Sequence, residues 1–175
     1  MIEQIKQWFL YREFKVIKKP QTASMPKVNS GHQISILFNG TTEDDRKIIH
    51  KLKKILNSSG QKQIKSFAFI DNTLPLDNVD YDAYNHLNIK WYGLPFGPKI
   101  DEFIQQHSDI FLVLCERMLP HYEYIIAHAN ADFIIGPNID KSEKYFSLII
   151  DTLGKPGLSA LIDKIILNTD KISIK

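Results

Sequence analysis

Residues 108–137, SDIFLVLCERMLPHYEYIIAHANADFIIGP, decide the fold of this chain. Asp109–Leu114 is a continuous apolar run of strand length, which is typical of a parallel strand covered on both faces. Pro120 suits the first turn of a helix that continues to about Asn130. Asp132–Ile135 is a second short apolar run. Strand, helix and strand in this order predict a βαβ unit with parallel strands.

The same alternation extends towards both ends of the sequence. The further strand candidates are Ile34–Phe38, Ile64–Ile70, His86–Trp91 and Tyr145–Ile150. The further helix candidates are Thr42–Asn57, Lys99–Gln106 and a last helix that starts near Pro156. We therefore predict an α/β, Rossmann-like, three-layer doubly wound fold with a mainly parallel sheet of about five or six strands. The expected strand order is 3-2-1-4-5-6, and a flavodoxin-like order remains open.

The first residues form a separate helical segment in this prediction. Met1 to about Lys19 has helical periodicity, with Ile2, Ile5, Phe9, Leu10, Val16 and Ile17 on one arc. Pro20 ends this helix, and Gln21–Gly31 is a linker in this interpretation. The expected organisation is a basic amphipathic helix and linker over residues 1–31, followed by one domain over residues 32–175.

This N-terminal helix is the most basic part of the sequence. Residues 1–27 contain six basic residues and two acidic ones. A basic amphipathic helix can bind an anionic membrane surface, so peripheral membrane contact through residues 1–19 is one hypothesis. The alternative, which we favour, is a helix docked on the domain or on a second subunit with its lysines in water.

Length, charge and cysteine content limit the function classes. A chain of 175 residues fits one domain. Its net charge of +2 gives no reason to expect a nucleic-acid partner. The single cysteine, Cys115, excludes an internal disulfide and favours a reducing compartment, so we expect a cytoplasmic protein. No apolar stretch approaches the 18 or so residues of a membrane-spanning helix.

The predicted topology places a ligand crevice. Doubly wound sheets bind ligands beyond the carboxyl ends of the strands, where the strand order reverses. That point lies between the first strand and the strand ending at Leu114. The candidate ligand-binding residues are Asn39, Gly40, Thr41, Asp71, Cys115, Glu116 and Arg117.

The chemistry of this set leaves the ligand open. Gly40 precedes a helix start, where backbone amides can bind an anion, but the acidic first turn Glu43–Asp45 opposes a phosphate. A G-x-G-x-x-G fingerprint is missing from the sequence. Asp71 is placed to hold a ribose hydroxyl or simply to end a strand. Cys115 is interpreted as a small buried hydrophobe rather than a nucleophile.

The sequence indicates no metal site and no particular cofactor. His121 and His128 are seven residues apart on one predicted helix, roughly 10 Å, which is too far for one ion. The alternate carboxylates Asp77, Asp80 and Asp82 lack the glycine and the distal glutamate of a calcium loop. We therefore predict surface or core histidines and a solvated acidic loop.

Two resemblances complete the sequence evidence. Residues 108–137 are similar to the amino-terminal half of heptosyltransferase-like GT-B glycosyltransferases. Such enzymes bind the donor nucleotide mainly in a second Rossmann-like domain, which these 175 residues do not contain, so this resemblance implies the fold more than the reaction. Residues 34–136, through ILFNGTTEDDRK, WYGLP and LPHYEYIIAHANADFIIGP, resemble an uncharacterised family of small Bacteroidetes proteins.

Three functional hypotheses follow. The first is a binding module for a small molecule or a protein partner, without independent catalysis. The second is an enzyme that acts on a nucleotide or a sugar through Asp71, Cys115, Glu116 or Arg117. The third is a peripheral membrane adaptor anchored by the N-terminal helix. The sequence contains no motif that specifies a reaction, so whether the chain is an enzyme stays open.

Overall fold

Residues 2–14, 33–58, 62–77, 79–152 and 157–172 are described by the structure, a computed structural model, and contain six α-helices and six β-strands. The helices are α1 (Ile2–Glu13), α2 (Glu43–Ser58), α3 (Pro98–Gln105), α4 (Pro120–His128), α5 (Ser142–Tyr145) and α6 (Leu158–Ile172). The strands are β1 (Gln33–Asn39), β2 (Gln63–Ile70), β3 (Ala83–Asn85), β4 (Ser108–Leu114), β5 (Ala131–Pro137) and β6 (Leu148–Ile150).

The six strands form one parallel sheet in the order β3-β2-β1-β4-β5-β6. This is the predicted order, and the α/β Rossmann-like fold class is confirmed. The strand order reverses between β1 and β4, which pair directly from Ile34↔Ile110 to Phe38↔Leu114. The carboxyl ends of these two strands therefore lie side by side at the topological switch point.

Helices cover both faces of the sheet, which explains why the central strands are apolar at nearly every position. On one face, α2 and α6 pack against alternate residues of β1 and β4. This layer includes the buried residues Ile36, Phe38, Leu52, Leu112, Leu161 and Ile165. On the other face, α3 and α4 pack against the intervening residues. That layer includes Leu37, Phe67, Phe103, Phe111, Val113 and Ile125.

The start of α2 is capped by a side chain, as the Thr42-x-x-Asp45 pattern predicts. The backbone N–H of Asp45 donates to Thr42 Oγ1 at 3.1 Å. The same hydroxyl donates to Asp45 Oδ2 at 2.5 Å. One of the amides that every helix start leaves without an intrahelical partner is thereby satisfied.

Replacement of the capping residue tests this contact. We expect Thr42→Ala to lower the free energy of unfolding by about 1 kcal/mol, because a side-chain acceptor is lost from the helix start. Thr42→Ser keeps the hydroxyl and should retain most of that free energy. Urea unfolding at neutral pH measures both variants. Equal losses in the two variants would show that the methyl group of Thr42, rather than its hydroxyl, stabilises this turn.

The predicted strand His86–Trp91 is wrong. The strand at this edge is β3, which precedes it, and His86–Asn88 is a short 3-10 helix. Asn85 makes the change of direction, since its side chain accepts from the backbone N–H of Leu87 at 3.0 Å. An asparagine that caps a helical turn competes with continuation of a strand.

The predicted strand Tyr145–Ile150 is also too long. Its first residue belongs to the one-turn helix α5, and β6 contains only Leu148–Ile150. The turn begins at Lys141, whose backbone is left-handed with φ 62°. Tyr145 then contributes its side chain to the core as a helical residue, with 2% of its surface exposed.

Helix α1 lies against the domain. Leu10 is buried, and the ring of Phe14 lies 5.9 Å from the rings of Tyr124 and His128 on α4. Of the predicted apolar arc, Leu10 is buried as expected, whereas Ile2 and Ile5 are exposed. Val16, Ile17 and the predicted linker lie outside the described residues.

None of the helices in the described ranges has both the length and the apolar character that a crossing of the bilayer needs.

Candidate functional site

A cleft opens at the carboxyl ends of β1, β4 and β5, on the face covered by α2 and α6. Its volume is about 460 Å³. Three of the predicted ligand-binding residues, Asn39, Cys115 and Glu116, line it. The other lining residues are Asp45, Leu114, Pro137, Asn138, Ile139, Thr152, Gly157, Leu158 and Leu161. The cleft therefore lies beside the switch point that the topology predicts.

The described walls of the cleft combine hydrogen-bonding groups with an apolar surface. Asn39, Asn138 and Thr152 are neutral polar residues of this lining. Asp45 and Glu116 supply carboxylates, and the described lining includes no lysine, arginine or histidine. Apolar side chains such as Leu158 and Leu161 complete the wall. Such a surface suits a small ligand that carries hydrogen-bond donors.

The turn after β1 is held by its own hydrogen bonds. Asn39 Oδ1 accepts from the N–H of Thr41 at 3.0 Å and from its hydroxyl at 2.6 Å. Thr41 Oγ1 in turn accepts from the N–H of Asp71 at 2.9 Å, which links the turn to the end of β2. Thr41 and Asp71, which were predicted to contact a ligand, thus contact each other and lie outside the cleft lining.

Gly40 and Arg46 complete this turn. A Cβ atom at Gly40 would lie 2.9 Å from Ala68 Cβ, so the glycine allows the turn to pack closely on β2. Arg46 Nη1 donates to the carbonyl of Gly40 at 2.6 Å and to that of Thr41 at 3.2 Å. Arg46, which is not among the predicted site residues, lies in the first turn of α2 and fixes the loop that carries Asn39.

Cys115 has the properties of a buried hydrophobe. Only 4% of its surface is exposed. Burial raises the pKa of its thiol to about 12, and the negative charge of Glu116 acts in the same direction. The thiol is therefore protonated at neutral pH, whereas a nucleophilic cysteine is a thiolate. Arg117, its other predicted neighbour, is exposed and lies outside the cleft lining.

A second polar cluster lies at the end of β2 and β3. His86 Nε2 and Asp71 Oδ1 are 2.6 Å apart, and both side chains are about half exposed. Behind them, the hydroxyl of Tyr84 and His121 Nδ1 form a buried hydrogen bond of 2.8 Å. The ring of Phe69 contacts both histidines, with its centroid 4.4 Å from that of His121 and 5.5 Å from that of His86.

The buried imidazole of His121 is held neutral. The pKa of His121 is lowered to about 3, mainly by burial and also by the nearby His86, while Asp71 opposes the shift. The neutral ring then serves as a hydrogen-bond partner of Tyr84 in the core. The sequence predicts a surface or core histidine at this position, and the structure places it in the core.

A buried carboxylate that the sequence analysis missed joins α4 to α5. Glu123 accepts a hydrogen bond from the hydroxyl of Tyr145 at 2.5 Å and one from Lys141 Nζ at 2.8 Å. Burial alone would raise the pKa of Glu123, but these two hydrogen bonds and the charges of Lys141 and Lys144 outweigh it and lower the pKa. The group is fully paired and has a structural role.

Comparison with protein families supplies one match. The chain belongs to the family described as "Family of unknown function (DUF6913)", whose model matches residues 3–166. Neither the curated proteins nor the solved structures include a match to this chain. The matched residues include α1 as well as the sheet.

Proposed function

We propose that this chain is a binding module, without independent catalysis, for a small neutral or cationic molecule rich in hydroxyl or amino groups. The observation that carries this proposal is the lining of the cleft at the carboxyl ends of β1, β4 and β5. The described residues around this volume of about 460 Å³ include two asparagines, one threonine, one aspartate and one glutamate. That volume is within the usual range for small-molecule sites.

The charge of the cleft favours a sugar or an amine over a nucleotide. Asp45 and Glu116 are acceptors when ionised, and they bind hydroxyl or ammonium donors well. The same carboxylates repel a phosphate, and Asp45 lies in the first turn of α2, where a phosphate would otherwise gain from the helix dipole.

The chemistry of the lining favours binding over catalysis. Cys115 is the single thiol in the sequence, and its pKa of about 12 keeps it protonated and therefore a poor nucleophile. The alternative is an enzyme that acts on a sugar or a nucleotide. The observation in its favour is the contact of 2.6 Å between His86 and Asp71, a pairing that general bases use. This pair does not line the cleft.

Thermal unfolding of the purified chain with a panel of probes tests the proposal. The panel contains neutral monosaccharides, amino sugars, the corresponding sugar phosphates, nucleotides and nucleotide sugars. A ligand at about 100 times its Kd should raise the Tm by roughly 5–10 °C. We expect such a rise from a neutral or amino sugar and a smaller one from its phosphate.

Variants of adjacent residues locate the site. Glu116→Gln removes a charged acceptor from the cleft, so it should weaken binding at least about tenfold, as the loss of a hydrogen bond to a charged group does. Arg117→Ala is the matched control and should bind the same probe as the wild type does. A panel without any shift, or a larger shift with the phosphates, contradicts the proposal. Turnover of a panel compound by the isolated chain contradicts its non-catalytic part.

A further inference from the structure

Three side chains of the kinds that bind metal ions lie together at the amino-terminal edge of the sheet, opposite the cleft. They are those of His107, which immediately precedes β4, Asp109 on β4 and Asp132 on β5. The register of these strands pairs Ser108 with Ala131 and Ile110 with Phe133, so the two aspartates lie next to each other. The length of β4, roughly 20 Å, separates this cluster from the cleft.

The distances within the cluster match those around a single ion. His107 Nε2 lies 3.4 Å from Asp109 Oδ1 and 3.6 Å from Asp132 Oδ2. One ligand atom from each residue lies within 4.8 Å of the others. Nitrogen and oxygen ligands at about 2.1 Å from a tetrahedral zinc ion are about 3.4 Å from each other. The two distances from His107 are thus close to the separation of ligands around one ion.

The surroundings of the cluster also suit a cation. Two carboxylates on neighbouring strands repel each other, and a positive charge between them removes that cost. Asp109 Oδ2 accepts from the backbone N–H of Gln33 at 2.8 Å, which fixes the orientation of this carboxylate. Hydrogen bonds of this kind orient the ligands of metal sites. The side chains of His107 and Asp132 are 46% and 60% exposed, so an ion reaches them from solvent.

We infer that His107, Asp109 and Asp132 bind one divalent metal ion of the zinc class. The donor set of one imidazole nitrogen and two carboxylate oxygens suits such ions, and water completes the coordination. The site joins the starts of β4 and β5, and through Gln33 it reaches the start of β1. Because the cleft lies at the other edge, the ion stabilises the sheet and takes no part in binding at the cleft.

Calorimetric titration of the untagged, metal-free full-length chain with Zn²⁺ tests this inference. We expect one equivalent to bind to the wild type. Asp132→Asn and His107→Gln should each lower the affinity by roughly 10-fold to 100-fold or more, since even the residues that orient metal ligands have effects of this size. Saturating Zn²⁺ should raise the Tm of the wild type by about 5–10 °C and that of the variants by much less.

Matched controls separate this site from general binding of zinc by histidine and aspartate. His50→Gln on α2 and Asp101→Asn on α3 remove the same side chains at exposed positions elsewhere. Both should bind Zn²⁺ as the wild type does. The inference is overturned if the wild type binds less than one equivalent. It is also overturned if Asp132→Asn and His107→Gln bind Zn²⁺ as tightly as these controls do.

Discussion

Between pH 7 and pH 4, we expect His121 alone to lower the free energy of unfolding of the chain by about 3 kcal/mol. Its pKa in the folded protein is about 3, mainly because the ring is buried, whereas an unfolded histidine has a pKa of about 6.5. The unfolded state therefore binds a proton in this range that the folded state does not bind. The stabilisation is complete above about pH 6.5, falls as the pH is lowered, and levels off below about pH 3.

The difference in the free energy of unfolding between wild type and His121→Phe isolates this contribution, because both proteins contain the same carboxylates that titrate in this pH range. At pH 7 the variant should be less stable, since the hydroxyl of Tyr84 loses its partner at 2.8 Å and is left buried. At pH 4 the gap should shrink by about 3 kcal/mol or reverse.

Tyr84→Phe is the matched control, because it removes the same hydrogen bond but keeps the imidazole. Its unfolding free energy should run parallel to that of the wild type over the whole pH range. Urea unfolding at a series of pH values measures all three proteins. A constant difference between wild type and His121→Phe would show that the pKa of His121 is the same in the folded and unfolded states, contrary to the burial argument.

Gly136→Ala should lower the free energy of unfolding by about 1–3 kcal/mol, the usual cost of overpacking a core. A Cβ atom at this position would lie 2.4 Å, 2.5 Å and 2.7 Å from three ring carbons of Phe146. Gly136 pairs with Ile149 in the sheet, which limits movement of β5, and the ring of Phe146 is buried among other core residues. For a domain of this size the Tm should fall by roughly 2–10 °C.

A double-mutant cycle with Phe146→Leu identifies the cause of this loss. Leucine lacks the distal ring atoms that the new Cβ would meet, so Gly136→Ala should cost about 1 kcal/mol less in that background. The backbone of Gly136 does not have the positive φ of Gly93 or Gly97, and alanine therefore adds no backbone strain there. An unchanged cost in the Phe146→Leu background would exclude the ring as the cause.

The arrangement of the central strands could be predicted because burial on both faces leaves a strong local signal. β1, β2, β4 and β5 are seven or eight residues long and largely apolar. The two edge strands contain three residues each, which is too short for a periodic pattern to separate strand from helix. At one edge a 3-10 turn that follows β3 was therefore predicted as the strand, and at the other the end of a helical turn was included in β6.

Only those residues of the candidate sites whose position follows from the strand order could be predicted from the sequence. The strand order alone placed Asn39, Cys115 and Glu116 beside the switch point, and all three line the cleft. Asn138 and Thr152 reach the cleft from loops beyond β5 and β6, whose position depends on long-range packing. Asp109 and Asp132 are likewise 23 positions apart in the sequence, and only the register of β4 and β5 brings them together.

The shortness of β3 and β6 has a consequence for behaviour at high concentration. An edge strand offers unpaired backbone groups to other chains, and a long, flat edge is a template for intermolecular pairing and aggregation. Here the sheet ends at both sides in strands of three residues, each bounded by a helical turn or a loop. A neighbouring molecule finds room for few backbone hydrogen bonds at either edge, so the fold itself opposes growth of the sheet from one molecule to the next.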